Sequence, residues 1–340
     1  MNFAIVGCGH IAKKHAEAIR QIDGAVLAAV CDKIPENMEP YVQDFGARAF
    51  VDYDKLLDDP DIHIVNICTP SGTHAPLAVK AAASKKHIVL EKPMALTLED
   101  AEAIIQACKE HNVKLTVVHP NRFRPAVVEL RKLVDDGLFG TLSHADATVR
   151  WNRNQAYYDQ APWRGTKAMD GGVLMNQAIH NLDLMIWLMG PVEEIQGYVA
   201  TRVRNIESED VATAVIRFQN GALGVVEATT NVYPKNLEES LSIFGAKGTA
   251  VIGGPNANWY KHAAFEDLPN EQVEAMIKRI EADPFGKPGH QAILEDIIAA
   301  IREDRTPAVS GEDGRDAVKF VLGIIQAAER NKALRWEEIL

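Results

Sequence analysis

The chain has 340 residues, 47% of them hydrophobic and 24% charged, enough for about two domains with cores of their own. Its 36 Lys and Arg against 47 Asp and Glu give a formal net charge of −11, which argues against general nucleic-acid binding, since phosphate contacts need basic patches. No apolar run approaches the ~20 residues that span a bilayer, and the first ten residues enter a strand-like run with no signal-peptide layout, so a cytoplasmic protein with no membrane partner is expected.

Up to about residue 120, short apolar runs at 3–6, 26–31, 62–68, 87–90 and 115–118 alternate with helical patterns at 12–21, 74–83 and 98–111. The runs are rich in Val and Ile and nearly unbroken, as strands buried on both faces are. Thr97 with Asp100 three residues on opens the third helix in the manner of a capping box. Strand–helix alternation with short links predicts a doubly wound parallel sheet of the Rossmann type over 1–120. Cys8, Cys31, Cys68 and Cys108 are scattered through this part with no close pair, and are expected as buried, reduced thiols.

Past residue 120 the rhythm changes. A helix at 122–136 stops at Gly137, and longer alternating segments follow at 143–151, 193–202, 211–218, 222–231 and 240–244, with an Asn220-Gly221 turn between two of them. Helices at 173–189, 290–302 and 314–331 complete the pattern. The expectation for 121–340 is an α+β domain: an open-faced antiparallel sheet with helices on one side, suited to substrate binding and oligomerisation.

Gly7-Cys8-Gly9-His10-Ile11-Ala12 lies between the first strand and the first helix, where backbone N–H groups can approach a pyrophosphate at the positive end of a helix dipole. Asp32, 23 residues after Gly9, ends the second strand where a carboxylate accepts from ribose hydroxyls. NAD is therefore the expected cofactor. NADP stays open because Lys33 stands next door. Thr69-Pro70-Ser71-Gly72 follows a strand on the edge where open α/β sheets bind ligands. The candidate cofactor set is Gly7, Gly9, His10, Ile11, Ala12, Asp32, Lys33, Thr69, Pro70, Ser71, His74, Glu91, Lys92, Asn121 and Arg122.

Lys92, in Glu91-Lys92-Pro93 at the end of another strand, can hydrogen-bond a reacting oxygen and stabilise alkoxide charge. Glu91 either orients the lysine or contacts the cofactor. The stretch Gly171-Gly172 to Asp183 reads as a glycine-led helix, with Asn176, His180 and Asp183 on one face by i, i+4 and i, i+7 spacing. His180 suits removal of a hydroxyl proton as hydride leaves. Lys92 and His180 are the catalytic candidates. The histidines and cysteines show no metal-ligand spacing, and no metal is expected.

These motifs resemble those of the Gfo/Idh/MocA oxidoreductases of sugars and inositol, and the likeness runs over the whole chain, including His290, Asp296, Pro307 and Gly311-Glu312-Asp313-Gly314-Arg315. The resemblance implies a Rossmann domain, an open-faced sheet domain, tightly held NAD(H) or NADP(H), and homodimers or homotetramers through that sheet. Tyr157-Tyr158-Asp159, Trp163-Arg164-Gly165-Thr166, Asp170-Gly171-Gly172, Met175-Asn176-Gln177, His180 and Tyr233-Pro234-Lys235-Asn236-Leu237-Glu238 resemble the branch that oxidises C3 of UDP-N-acetylglucosaminuronate for surface polysaccharides. Where many members carry Asp, this chain has Asn176, which removes a carboxylate partner from His180 and shifts proton transfer toward Lys92.

An acidic nucleotide sugar agrees with basic residues at Arg122, Arg153, Arg164, Lys167 and Lys235, since guanidinium suits bidentate anion contacts. The candidate substrate set is Lys92, Arg153, Tyr158, Trp163, Arg164, Lys167, Asn176, Gln177 and His180. The rival readings are a dehydrogenase of a free sugar or inositol, a glycosidase that uses transient C3 oxidation on bound NAD, and an NAD(P)-sensing scaffold.

Overall fold

A computed structural model describes residues 1–254 and 257–340. The chain divides into two compact units, Met1–Pro120 with Lys287–Arg315, and Asn121–Gly286 with Asp316–Leu340. The stretch 287–315, which the sequence rhythm left in the second part, belongs to the first.

The first unit runs β1 (Asn2–Val6), α1 (His10–Arg20), β2 (Val26–Cys31), α2 (Glu39–Phe45), β3 (Arg48–Phe50), α3 (Tyr53–Leu57), β4 (Ile64–Ile67), α4 (His74–Ala83), β5 (His87–Leu90), α5 (Leu98–Glu110) and β6 (Leu115–Val117). Its six strands form a parallel sheet in the order β3-β2-β1-β4-β5-β6. Strand order reverses between β1 and β4, and their carboxyl ends bound the crevice where such sheets take ligands. The Thr97 hydroxyl accepts from Asp100 N at 3.1 Å, capping α5 as read from the sequence. The four cysteines are buried free thiols, and burial pushes Cys8 up to about 12.

The second unit holds α6 (Pro125–Asp135), β7 (Leu142–Arg150), α7 (Gln155–Tyr158), a π-helical turn at Leu174–Ala178, α8 (Ile179–Met189), β8 (Val192–Ala200), β9 (Val211–Phe218), β10 (Leu223–Thr229), β11 (Glu238–Gly245), β12 (Gly248–Gly253), β13 (Trp259–Phe265) and α9 (Asn270–Ala282). The chain then returns to the first unit with α10 (Gly289–Arg302), which lies against α1. α11 (Gly311–Arg330) and β14 (Leu334–Arg335) end it.

The second sheet runs β13-β12-β11-β7-β10-β9-β8-β14. The sequence led us to expect antiparallel pairing throughout. The sheet is mixed, because the β8–β9–β10 meander leaves β10 parallel to β7. The Asn220-Gly221 turn joins β9 to β10 as read, with Gly221 at φ +86 and the Asn220 side chain accepting from Ala222 N. Among the described residues no helix is long and apolar enough to cross a membrane.

Candidate active site

In the first unit the glycine loop leaves β1 at Gly7, whose φ is +88 and where a Cβ would stand 2.8 Å from Thr69 Cγ2 and 2.9 Å from the Cys68 carbonyl carbon. Only glycine lets the two crevice loops approach this closely. Gly9 differs. It caps α1 without a side-chain hydrogen bond, and a Cβ there would meet nothing within 4 Å. The open space beside Gly9, at the start of α1, fits a pyrophosphate held by the first-turn N–H groups. Asp32 accepts from Cys8 N at 2.8 Å, Ile34 N at 2.9 Å and Asn37 Nδ2 at 3.3 Å. It thus shapes the loop from just beyond β2. Lys33 is exposed beside it.

Thr69 and Thr73 share a hydroxyl hydrogen bond at 2.8 Å, and Pro70 and Ser71 are half-buried in the same turn. His74 is turned inward. Its Nδ1 lies 2.8 Å from the Pro93 carbonyl and its Nε2 2.9 Å from the Thr69 carbonyl, with the ring 1% exposed. It ties the 69–73 turn to the Lys92-Pro93 turn and does not offer itself to a cofactor. Lys92 is half-buried just beyond β5. Glu91 is buried against His15 and His290, two residues that sequence reasoning missed as parts of this site. Their positions, 76 residues before and 199 after Glu91, carry no local signal.

In the second unit Arg122 departs from expectation. Its Nε and Nη2 pair with both oxygens of Asp183, and its guanidinium lies 4.9 Å over the Trp187 ring. It is a buried structural cation, not a basic rim residue. Asn121 is likewise 3% exposed, its amide donating to Glu239 Oε1 at 3.1 Å. Burial raises the Glu239 carboxyl to about 7.

The helix carrying His180 begins with the π turn, which holds one more residue than an α turn. The turn interrupts the regular spacing between Asn176 and His180, while His180 and Asp183 both stand on α8. Asn176 donates its amide to Asp170, Asp183 is buried on Arg122, and His180 stands half-buried at the start of α8. Gln177 is 4% exposed. The paired glycines serve packing. A Cβ on Gly172 would lie 2.3 Å from Glu209 Cδ, and the Glu209 carboxylate accepts from Leu174 N at 3.0 Å. The anion at this helix start is the protein's own, and burial raises it to about 6.

Trp151, Arg153, Tyr157, Arg164 and Trp163 form a ladder of alternating rings and guanidiniums. Arg153 Cζ lies 4.8 Å over Trp151 and 5.3 Å over Tyr157, and Arg164 Cζ lies 4.4 Å over Tyr157 and 4.7 Å over Trp163. Each guanidinium gains cation–π attraction from two rings. Arg153 also donates to Asn236 Oδ1 at 3.2 Å, which joins the 233–238 segment to the ladder. Trp151 Nε1 and Arg164 Nε have no acceptor among the described residues. Arg164 and Tyr158 line a cavity of about 520 Å³, and the Tyr158 hydroxyl lies 3.3 Å from Thr230 Oγ1. Lys167 and Lys235 are exposed.

The NAD-binding Rossmann model of the oxidoreductase family matches residues 1–119, and the GFO/IDH/MocA C-terminal domain model matches residues 127–251. The chain belongs to the Gfo/Idh/MocA oxidoreductase family. This member is 31% identical to the oxidoreductase YrbE of Bacillus subtilis, over 97% of this chain and 93% of that one. It is 27% identical to a myo-inositol 2-dehydrogenase of Thermotoga maritima over the whole of both. The WlbA dehydrogenase of Bordetella pertussis, solved with NADH and UDP-GlcNAcA, superposes with TM-score 0.94 at 35% identity, covering 98% of this chain and 97% of that one. A levoglucosan dehydrogenase solved with NADH gives TM-score 0.88 at 26% identity, covering 98% of both chains. This Gfo/Idh/MocA enzyme is an NAD-dependent oxidoreductase of the sugar and inositol type.

Proposed function

We propose that the enzyme oxidises the C3 hydroxyl of UDP-N-acetylglucosaminuronate, a step toward surface-polysaccharide precursors. NAD supplies the hydride acceptor. The observation that carries the reading is the Arg153–Tyr157–Arg164 stack, which fixes two guanidiniums with an unfilled donor on Arg164. Stacked guanidiniums bind phosphate and carboxylate oxygens with little further ordering cost. The likeness to a protein solved with UDP-GlcNAcA supports it.

In this reading Lys92 donates to the reacting oxygen and stabilises its charge, while His180 takes the hydroxyl proton. Asn176, whose amide is committed to Asp170, acts in the substrate pocket through that fixed carboxamide. The first-turn N–H groups after Gly9 and the carboxylate of Asp32 hold the cofactor and favour NAD over NADP.

The exposed face of the second sheet carries Tyr198, Val215, Leu223 and Val225, with Val215 opposite Val225 in register. We assign it to self-association as a dimer or tetramer, as an apolar stripe of this kind suits. Mass spectrometry of co-purifying ligands, followed by a panel of nucleotide sugars and free sugars, tests the substrate. A UDP-uronate that reduces the bound NAD supports the reading, and turnover of free inositol or levoglucosan alone sinks it.

A further inference from the structure

Glu91, His15 and His290 form a cluster in the first unit, with Glu91 and His15 buried and His290 half-buried. Glu91 follows β5, His15 stands mid-way along α1 and His290 lies in the first turn of α10. His15 Nε2 is 2.8 Å from Glu91 Oε1, and His290 Nε2 is 3.5 Å from the same oxygen. On its other side His15 Nδ1 faces the Asn66 amide nitrogen at 2.9 Å. The ring therefore accepts from Asn66 and donates to Glu91, as a neutral imidazole whose proton sits on Nε2. The second carboxylate oxygen, Oε2, accepts from the backbone N–H of Lys92 at 3.2 Å. One residue on, the Pro93 carbonyl faces His74 Nδ1 at 2.8 Å. The peptide that carries Lys92 is thus held on both sides by buried side chains.

A glutamine could accept the same N–H. A carboxylate 6% exposed is costly to hold unless it is well partnered, so the charge itself has a use. What it adds is a fixed anion one residue from an ammonium, which favours the charged lysine. Burial pushes the Glu91 carboxyl up, but the hydrogen bond from His15 and the close approach of His290 outweigh it and hold it well below the ordinary range.

We propose that Glu91, clamped between His15 and His290, is the positioning residue for Lys92, fixing its peptide through Oε2 and holding its side chain as an ammonium. This rests on the reading of Lys92 as the residue that touches the reacting oxygen. The groups around Glu91 are His15 and Lys14 on α1, Cys68 after β4, His74 on α4, Lys92, and His290 on α10. Burial disfavours the charged forms of His15, His74 and the Cys68 thiol. His290 is the member that solvent reaches, on the wall of a cavity of about 310 Å³ beside Lys13 and Lys14. The three ligand atoms lie within 4.8 Å of one another, a spacing that invites a metal. Zinc bonds of 2.0–2.1 Å in a tetrahedron hold ligands about 3.3 Å apart, wider than the 2.8 Å hydrogen bond that joins His15 to Glu91.

The test compares Glu91→Gln, His290→Gln and Lys92→Met in the full-length enzyme with NAD bound, by thermal melting, NADH affinity, elemental analysis, and kcat and KM across pH. Glu91→Gln is expected to lower kcat about 10- to 100-fold, the scale of lost positioning, with KM and NADH affinity within about 2-fold. The alkaline limb of its kcat profile moves down by about one pH unit, because a negative charge one residue away has been removed. His290→Gln, at the cavity wall, keeps its melting temperature and lowers kcat without raising KM, and this arm decides the matter if Glu91→Gln does not fold. A folded Glu91→Gln with normal kcat and an unmoved alkaline limb overturns the proposal, as does stoichiometric zinc that His290→Gln removes. Normal turnover in Lys92→Met overturns the Lys92 reading itself. Loss in Lys92→Met beside a normal Glu91→Gln overturns only the positioning role.

Discussion

Arg122 and Asp183 meet twice, Nε to Oδ2 at 2.9 Å and Nη2 to Oδ1 at 2.7 Å, with the two side chains 4% and 0% exposed. A pair this deep leaves an uncompensated buried charge when either partner is removed. Asp183→Asn should therefore cost about 3–5 kcal/mol of stability in urea unfolding, with NAD affinity of the folded fraction unchanged. A variant of normal stability that loses NAD would return Arg122 to the cofactor site.

The two glycine motifs make opposite predictions. Gly9→Ala adds a methyl where nothing stands within 4 Å, so the melting temperature should hold while NAD binding weakens. Gly172→Ala drives a Cβ to 2.3 Å from Glu209 and should cost roughly 1–3 kcal/mol by overpacking. Equal loss of stability in both would contradict this division between a binding glycine and a packing glycine.

Much of this was legible in the sequence and some was not. Gly7, Gly9 and Asp32 announce themselves because a strand, a tight turn and a helix must follow one another within a few residues. The π turn at Leu174–Ala178 was not legible, because it changes the angle per residue without changing the apolar pattern that marks a helix. β3 has three residues, two of them exposed, too few to show a period. α9 was overlooked although Val273, Met276 and Ile280 mark its buried face. Arg122 looked like a rim charge because sequence shows its sign but not its partner, 61 residues away.

Glu239 predicts a pH dependence of stability. Its folded carboxyl is raised to about 7 by burial, so between the ordinary carboxylate range and 7 the folded state holds a proton that the unfolded state has lost. Stability then falls as pH rises through that window, and is level above it. The contribution is roughly 3 kcal/mol at most. Glu239→Gln should flatten this part of the curve in unfolding measured from pH 4.5 to 8, and an unchanged slope would remove Glu239 as its source.

Asp32 bears on cofactor choice. Asp32→Ala should weaken NAD more than NADP, since only NAD offers the free ribose hydroxyl that a carboxylate accepts from. It should also loosen the loop through the lost contact to Cys8 N. Titration of both dinucleotides by NAD(P)H fluorescence decides it, and a wild type that prefers NADP would transfer the selection to Lys33.

The central claim is that the substrate is an acidic nucleotide sugar, with Lys92 acting on its reacting oxygen and the Arg153–Tyr157–Arg164 stack binding its anionic groups. Its most direct test is kcat/KM by NADH absorbance for wild type and Arg164→Ala, each with UDP-N-acetylglucosaminuronate and with UDP-N-acetylglucosamine. Wild type should strongly favour the uronate, and Arg164→Ala should lose about 10- to 150-fold with it, the equivalent of one charge-assisted contact of about 1.5–3 kcal/mol. Equal turnover of both sugars by wild type, with no loss in Arg164→Ala, would contradict the claim.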